Sequence, residues 1–302
     1  MKKIFQAVVF TSFAVLFSCE DSKKEQANES NNKSTEKTLV ITAISDEKAS
    51  NQAIRFLALQ NFLSEELGVT TEFKLSNSYE DSVTRFKNGE VHLVWYGGLT
   101  GVQARRAVPG AKAIAQGDVD PQYKSYFIAN ASTGLVRSED FPGEKIKEMT
   151  FTFGSKSSTS GRLMPAYFFI ENTGKTPGDF FTKPVQFSGA HDATAKAVES
   201  GSVQVGAINY KTYDSMVKAG ELDPQKARII WVTPDYADYN LTVHPALEEM
   251  FGEGFIKKLQ EVLVACEDKE VLAAFNREDL IPASNEDFVG IEEVAKKLGL
   301  MR

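Results

Sequence analysis

Cysteine and histidine are scarce: 302 residues hold two of the first, Cys19 and Cys266, and three of the second. Neither cysteine stands in a CxxC or Cys/His spacing, and His92, His191 and His244 are too scattered to form a metal motif. A disulfide framework and a structural zinc are excluded, and no metal or cofactor is expected. Cys266 reads as core packing. Proline is sparse, at 10, and no repeat or low-complexity tract fills the chain, which sets aside collagen-like and wholly disordered classes. Positive charge is in deficit, with 34 Lys and Arg against 41 Asp and Glu for a net charge of -7. Such a chain repels phosphate backbones, so nucleic acid is not an expected partner. Catalytic signatures are missing too: there is no GxSxG elbow, and no SxxK combines with the SDN and KTG motifs of a penicillin-binding-type site. Arg162, not lysine, follows Gly161, so the loop before it is no P-loop. Nothing marks the chain as an enzyme.

Long apolar runs are absent except at the start. Ile4 to Ser18 follows Lys2-Lys3 and is too short to cross roughly 30 Å of hydrocarbon, so residues 1–18 read as a secretory signal. It ends Leu16-Phe17-Ser18-Cys19, which resembles a bacterial lipobox and makes Cys19 the expected lipidation site. Residues 19–37 hold almost no apolar side chain and cannot offset their ordering entropy, so they read as a flexible tether. What remains, about 265 residues, is enough for one large or two medium domains. It is expected outside the cytoplasm, anchored to a bacterial membrane through Cys19 and monomeric.

The remainder alternates β-rich and helix-periodic segments. Thr38–Ile44 reads as a strand, residues 51–67 as a helix stopped by Gly68, Tyr79–Lys87 as a short helix, and Val91–Tyr96 as an apolar strand closed by Gly97-Gly98. Further strands near residues 123–129, 150–153, 203–208 and 229–232 interleave with helices at 163–172 and 193–200, and residues 245–300 read as mainly helical. This is the βαβ rhythm of an α/β protein.

The stretch richest in chemistry is Phe151-Thr-Phe-Gly-Ser-Lys-Ser-Ser-Thr-Ser-Gly161: strand, hydroxyl-rich loop, helix start. A helix N-terminus offers unsatisfied N–H groups and the positive end of its dipole. With the hydroxyls of Ser157, Ser158, Thr159 and Ser160 it would hold a tetrahedral oxyanion. The simpler reading is that Ser158 or Thr159 only caps the helix, worth about 1 kcal/mol. His191 follows Ser-Gly-Ala at a loop mouth, where its imidazole would donate to the same anion. Tyr96 ends an apolar strand and is expected to point its phenol into the cleft, with Trp95 facing the core by strand alternation.

These stretches, with Leu93-Val-Trp-Tyr-Gly-Gly98, Phe187-Ser-Gly-Ala-His-Asp-Ala-Thr194, Thr233-Pro-Asp-Tyr-Ala-Asp-Tyr-Asn240 and Leu280-Ile-Pro-Ala, resemble the periplasmic binding proteins of phosphonate/phosphite ABC transporters, most nearly the selenate-type subgroup. The resemblance implies a two-lobed periplasmic-binding-protein fold of type 2 with two crossing hinge strands. Lobe one would comprise 38–130 and 231–302, and lobe two 131–230. It also implies that Tyr96, Ser158, Thr159, Ser160 and His191 bind the ligand, with Ser45, Asn209 and Tyr239 as further candidates. The partners it implies are a small oxyanion of the phosphonate, phosphite, phosphate or selenate type and the transmembrane subunits of an ABC permease. Where aminophosphonate binders carry a carboxylate, this chain has Asn209-Tyr210-Lys211, so an aminoalkyl ligand is not expected. A pocket of donors alone would favour selenate or sulfate over a protonated phosphonate. A sensor lipoprotein on the same fold is the alternative; an enzyme acting on a phosphorylated metabolite lacks a base or nucleophile.

Overall fold

A computed structural model describes residues 37–301. The signal segment, Cys19 and nearly all of the tether lie outside the described residues. The chain first lays down β1 (Thr38–Ala43), β2 (Thr70–Phe73), β3 (Leu93–Tyr96) and β4 (Lys112–Gly117). It then builds β5 (Ser125–Asn130), β6 (Phe151–Phe153), β7 (Gln186–Phe187), β8 (Val205–Asn209) and β9 (Ala227–Val232), and returns for β10 (Asn240–Val243) and β11 (Leu280–Pro282). Among the described residues these make two sheets, ordered β11-β4-β10-β3-β1-β2 and β7-β6-β8-β5-β9.

β1 pairs in parallel with β2 and β3, and β6 with β7 and β8, each through a helical crossover. The strands entered after a crossing, β5 and β10, run antiparallel to their neighbours. Central strands such as β3 and β8 are buried on both faces, which suits an apolar run such as Leu93-Val-Trp-Tyr96. In the second sheet Phe127 and Ala129 face a phenylalanine-rich core with Phe151, Phe169 and Trp231, while Ile128 between them joins Ala195, Ile208 and Tyr213 on the opposite face. Cys266 is packed in the core of the first sheet, as its isolation suggested.

Sheet membership moves the crossings away from where the sequence put them. Residues 125–130 lie inside the second sheet, so the chain has left the first sheet by residue 125 and not at 130. The segments between the sheets are 118–124 and 233–239. They run antiparallel, joined by Tyr123 N–H to Tyr236 O (2.8 Å), Tyr236 N–H to Tyr123 O (2.9 Å) and Asp238 N–H to Asp120 O (3.1 Å). The expectation placed the crossings on the apolar strands, whereas the segments that cross are polar and each holds a proline, Pro121 and Pro234. The C-terminal region is broken into the helices Ala246–Phe251, Phe255–Val264, Lys269–Phe275 and Val289–Lys297, all four packed with β11 into the first sheet's core cluster, the second through Phe255, Leu259 and Leu263.

Candidate functional site

After β6 the chain turns through Gly154 into Ser158, whose Oγ accepts the N–H of Gly161 (2.9 Å). Ser158 is therefore a helix cap, as the simpler reading held, and its own O–H is left to donate. The turn it caps, Thr159–Leu163, is a π-turn leading into the helix Met164–Thr173. Such a wide turn is a common feature of functional sites. The first-turn N–H groups of Thr159 and Ser160 have no intrahelical acceptor, and Ser158, Thr159 and Ser160 are all buried.

His191 opens the helix His191–Glu199 and is fully buried. The backbone N–H of Asn209 donates to its Nδ1 (3.3 Å), which puts the ring proton on Nε2, 3.5 Å from Ser158 Oγ. Burial pushes its pKa down to about 3, so it stays neutral and acts as a donor. A Cβ on Gly161 would stand 2.9 Å from both His191 Cε1 and Ser158 Oγ, so this position admits only glycine without a shift.

The first sheet closes over this loop. Leu99 N–H donates to Thr159 Oγ1 (2.9 Å), and Gly97 faces Thr159 and Asp238 so closely that a Cβ there would lie 3.1 Å from Thr159 Oγ1. Asp238, on the returning crossing segment, accepts the N–H of Gly98 at Oδ1 (2.9 Å), while its Oδ2 is buried without a partner. Burial pushes this carboxyl up to about 7, against the Gly98 N–H, which holds it down. Tyr79, 2% exposed at the start of the helix Tyr79–Lys87, also buries a hydroxyl without a partner, and that hydroxyl faces Ser158. Neither Asp238 nor Tyr79 was singled out from the sequence. The only available signal was two acids, Asp235 and Asp238, set in an otherwise aromatic stretch.

Four expectations need correcting. Tyr96 does not reach the cleft: its hydroxyl donates to Ser82 O (2.9 Å) and its ring packs edge-on against Phe86, so its pKa is raised by burial. Trp95 takes the cleft side instead, stacked on Tyr239 with ring centroids 5.3 Å apart. Because β3 is buried on both faces, burial does not reveal which face is which. Ser157 lies at the rim and donates to Glu80 Oε1 (2.5 Å). Ser45 is half-buried, and its neighbour Asp46 makes the contact, accepting from the hydroxyl of Tyr239 (2.9 Å). Asn209 and Tyr239 are joined to each other (3.1 Å) beside the cage of donors. The pocket is also not made of donors alone, since Asp238 supplies an acceptor.

Ser158, Thr159, Ser160, His191 and Tyr79 can thus donate to one small tetrahedral anion while Asp238 accepts from it. The family model for ABC transporter, phosphonate, periplasmic substrate-binding proteins matches residues 41–288. The chain belongs to that family. It is 37% identical over 275 residues to a probable ABC transporter phosphite binding protein, PhnD1, of Prochlorococcus marinus, covering 89% of this chain and 92% of the relative. The solved structure of PhnD1 in complex with methylphosphonate superimposes with a TM-score of 0.83 at 36% identity, covering 88% of this chain and 99% of that one. A phosphate-import protein, PhnD, of Mycolicibacterium smegmatis is 24% identical, covering 93% of this chain and 91% of the relative. The relatives are binding proteins of transporters and not enzymes.

Proposed function

We propose that the protein is an extracytoplasmic receptor, lipid-anchored at Cys19, that closes two lobes on a singly protonated phosphonate or phosphite ion and delivers it to an ABC permease. The observation that carries the ligand's chemistry is the unpartnered Oδ2 of Asp238 among hydroxyl, N–H and imidazole donors. A protonated P–OH has a hydrogen to give this oxygen. Selenate and sulfate have none at neutral pH, so either they meet a carboxylate lone pair or Asp238, with its pKa at about 7, must carry the proton itself; a protonated ligand supplies it at no such cost, which argues against the selenate-type subgroup. The phosphite named for the Prochlorococcus relative and the methylphosphonate in its solved structure agree with this reading.

Calorimetric titration of the purified chain with phosphite, methylphosphonate, phosphate, sulfate and selenate tests it. Phosphite or methylphosphonate is expected to bind at least about a hundredfold tighter than sulfate or selenate, a gap of about 2.7 kcal/mol. Tighter binding of selenate would overturn the assignment. The anchor is tested separately: palmitate labelling in cells should be lost in Cys19→Ala, and persistent labelling would remove Cys19 from the proposal.

A further inference from the structure

Four residues beside the anion cage close a ring of hydrogen bonds. The N–H of His191 donates to Asp46 O (3.2 Å), the hydroxyl of Tyr239 donates to Asp46 Oδ2 (2.9 Å), Asn209 Nδ2 donates to the Tyr239 oxygen (3.1 Å), and Asn209 N–H donates to His191 Nδ1 (3.3 Å). Asp46 and Tyr239 come from the ends of β1 and of the returning crossing segment, next to β10; Asn209 and His191 come from the second sheet's side. Neither half of the chain makes the ring alone.

The two faces of the ring look onto different spaces. On one face His191 Nε2 addresses Ser158 in the cage. On the other lies a cleft of about 410 Å³ lined by Asp46, Asn209 and Tyr239 together with Arg55, Trp95 and Met216. None of Ser158, Thr159, Ser160, His191 or Asp238 reaches that cleft. Asn209 and Tyr239 are almost fully buried, at 1% and 3% exposed, so a ligand group pushed between them would leave their polar atoms unpaired in the interior.

We propose that this ring is the partition that sets ligand size: it walls the anion cage off from the second compartment, so that the cage takes a phosphorus bearing hydrogen or one small group. The amide of Asn209 is the plug, and a smaller residue there joins the cage to the cleft and admits longer alkyl substituents. The inference rests on the reading of the cage as a phosphonate or phosphite site.

Two variants separate a wall from a latch. Asn209→Ser keeps a side-chain oxygen for the N–H of Thr212, which Asn209 caps now (2.6 Å), and keeps the backbone bond to His191, but removes the amide. Tyr239→Phe removes both hydroxyl bonds and keeps the ring on Trp95. Calorimetry with methylphosphonate and n-propylphosphonate reads the ratio of their affinities. The wild type is expected to prefer methylphosphonate by at least about a hundredfold. Asn209→Ser should cut that ratio about tenfold or more through tighter propylphosphonate binding, whereas Tyr239→Phe should weaken both ligands with the ratio unchanged to within about threefold. A wild type indifferent to chain length, or Asn209→Ser with an unmoved ratio, overturns the partition and leaves the functional reading intact. If the wild type binds neither ligand, the functional reading falls and the partition falls with it.

Discussion

Asp238 and Tyr79 each bury a polar atom that no described residue satisfies, and such groups are rare unless something else meets them. For Tyr79 the consequence is a split effect. Tyr79→Phe removes an unpartnered hydroxyl, so the ligand-free protein should melt no lower than wild type, while ligand affinity falls by about ten- to 150-fold, the value of one hydrogen bond to a charged group. Equal affinity would remove Tyr79 from the site. For Asp238 the consequence is a dependence on pH. Its folded pKa, about 7, lies above the ordinary carboxyl value of about 3.9. Its contribution to stability is therefore complete below about pH 4 and is lost as pH rises to about 7. Asp238→Asn should flatten part of that decline in the thermal midpoint of the ligand-free protein; Asp46 and Asp120, also raised by burial, keep the rest of the slope. In the complex, Asp238 and the ligand share one proton, so affinity should fall as pH climbs from 7 to 9, and Asn in its place should shift preference towards sulfate and selenate. Affinity flat over that range would contradict the shared proton. Ser158, Thr159, Ser160 and His191 were legible because consecutive hydroxyls and a histidine at a loop mouth are local patterns. Asp238 and Tyr79 were not, because their importance lies in lacking a partner, and partners are set by the fold.

At the level of elements, the loop-to-helix transition after β6 does the work of the site, and its geometry depends on one glycine. Gly161 supplies the N–H that Ser158 accepts and the carbonyl that receives the N–H of Gly154 (2.9 Å). In Gly161→Ala the methyl group would stand 2.9 Å from His191 Cε1 and Ser158 Oγ, so either the imidazole or the cap must move. Overpacking of this kind costs about 1–3 kcal/mol. Calorimetry should show ligand binding weakened by more than tenfold, a loss of about 1.4 kcal/mol or more, with the circular dichroism of a folded α/β protein retained. Wild-type affinity in this variant would mean that the cage lies elsewhere. The helix at 164–173 was readable from its apolar run, but the π-turn before it was not, because its widened hydrogen bonding leaves no trace in hydrophobic spacing. β4, β10 and β11 also escaped notice. Lys112–Gly117 carries alanine, lysine and glycine in place of β-branched residues, and β10 and β11 are short antiparallel additions held by their neighbours. β3 shows the complementary failure: its position was plain, but a strand buried on both faces does not say whether Trp95 or Tyr96 points towards the side of Tyr239.

Over the whole molecule, the βαβ rhythm was enough for an α/β protein and the family resemblance supplied its two lobes, whereas the crossings were set by which sheet each strand pairs with. Those crossings are held from outside. Arg277, at the end of the helix Lys269–Phe275, forms a buried pair with Asp120 of the first crossing (2.5 and 3.0 Å) and lies over the rings of Trp95, Tyr123 and Tyr239. Burial opposes its charge, and Asp120 together with Tyr123 more than offsets this, so its pKa is raised. Asp120 in turn accepts the N–H of Gly117 at Oδ2 (2.7 Å) and, through its backbone oxygen, the N–H of Asp238. The ion pair therefore fixes the segment that carries the acceptor of the cage. Arg277→Met would leave Asp120 charged and buried, with a stability loss of about 3–5 kcal/mol. In Asp120→Asn combined with Arg277→Met no charge is stranded, so the double variant should be more stable than Arg277→Met alone. Urea denaturation measures both. A structural pair alone would predict that the double variant regains ligand affinity with its stability. Because the pair also sets the position of Asp238 and supports Tyr239, affinity for methylphosphonate should stay below wild type even where stability recovers, and full recovery of both would show that the crossing holds its place without the pair.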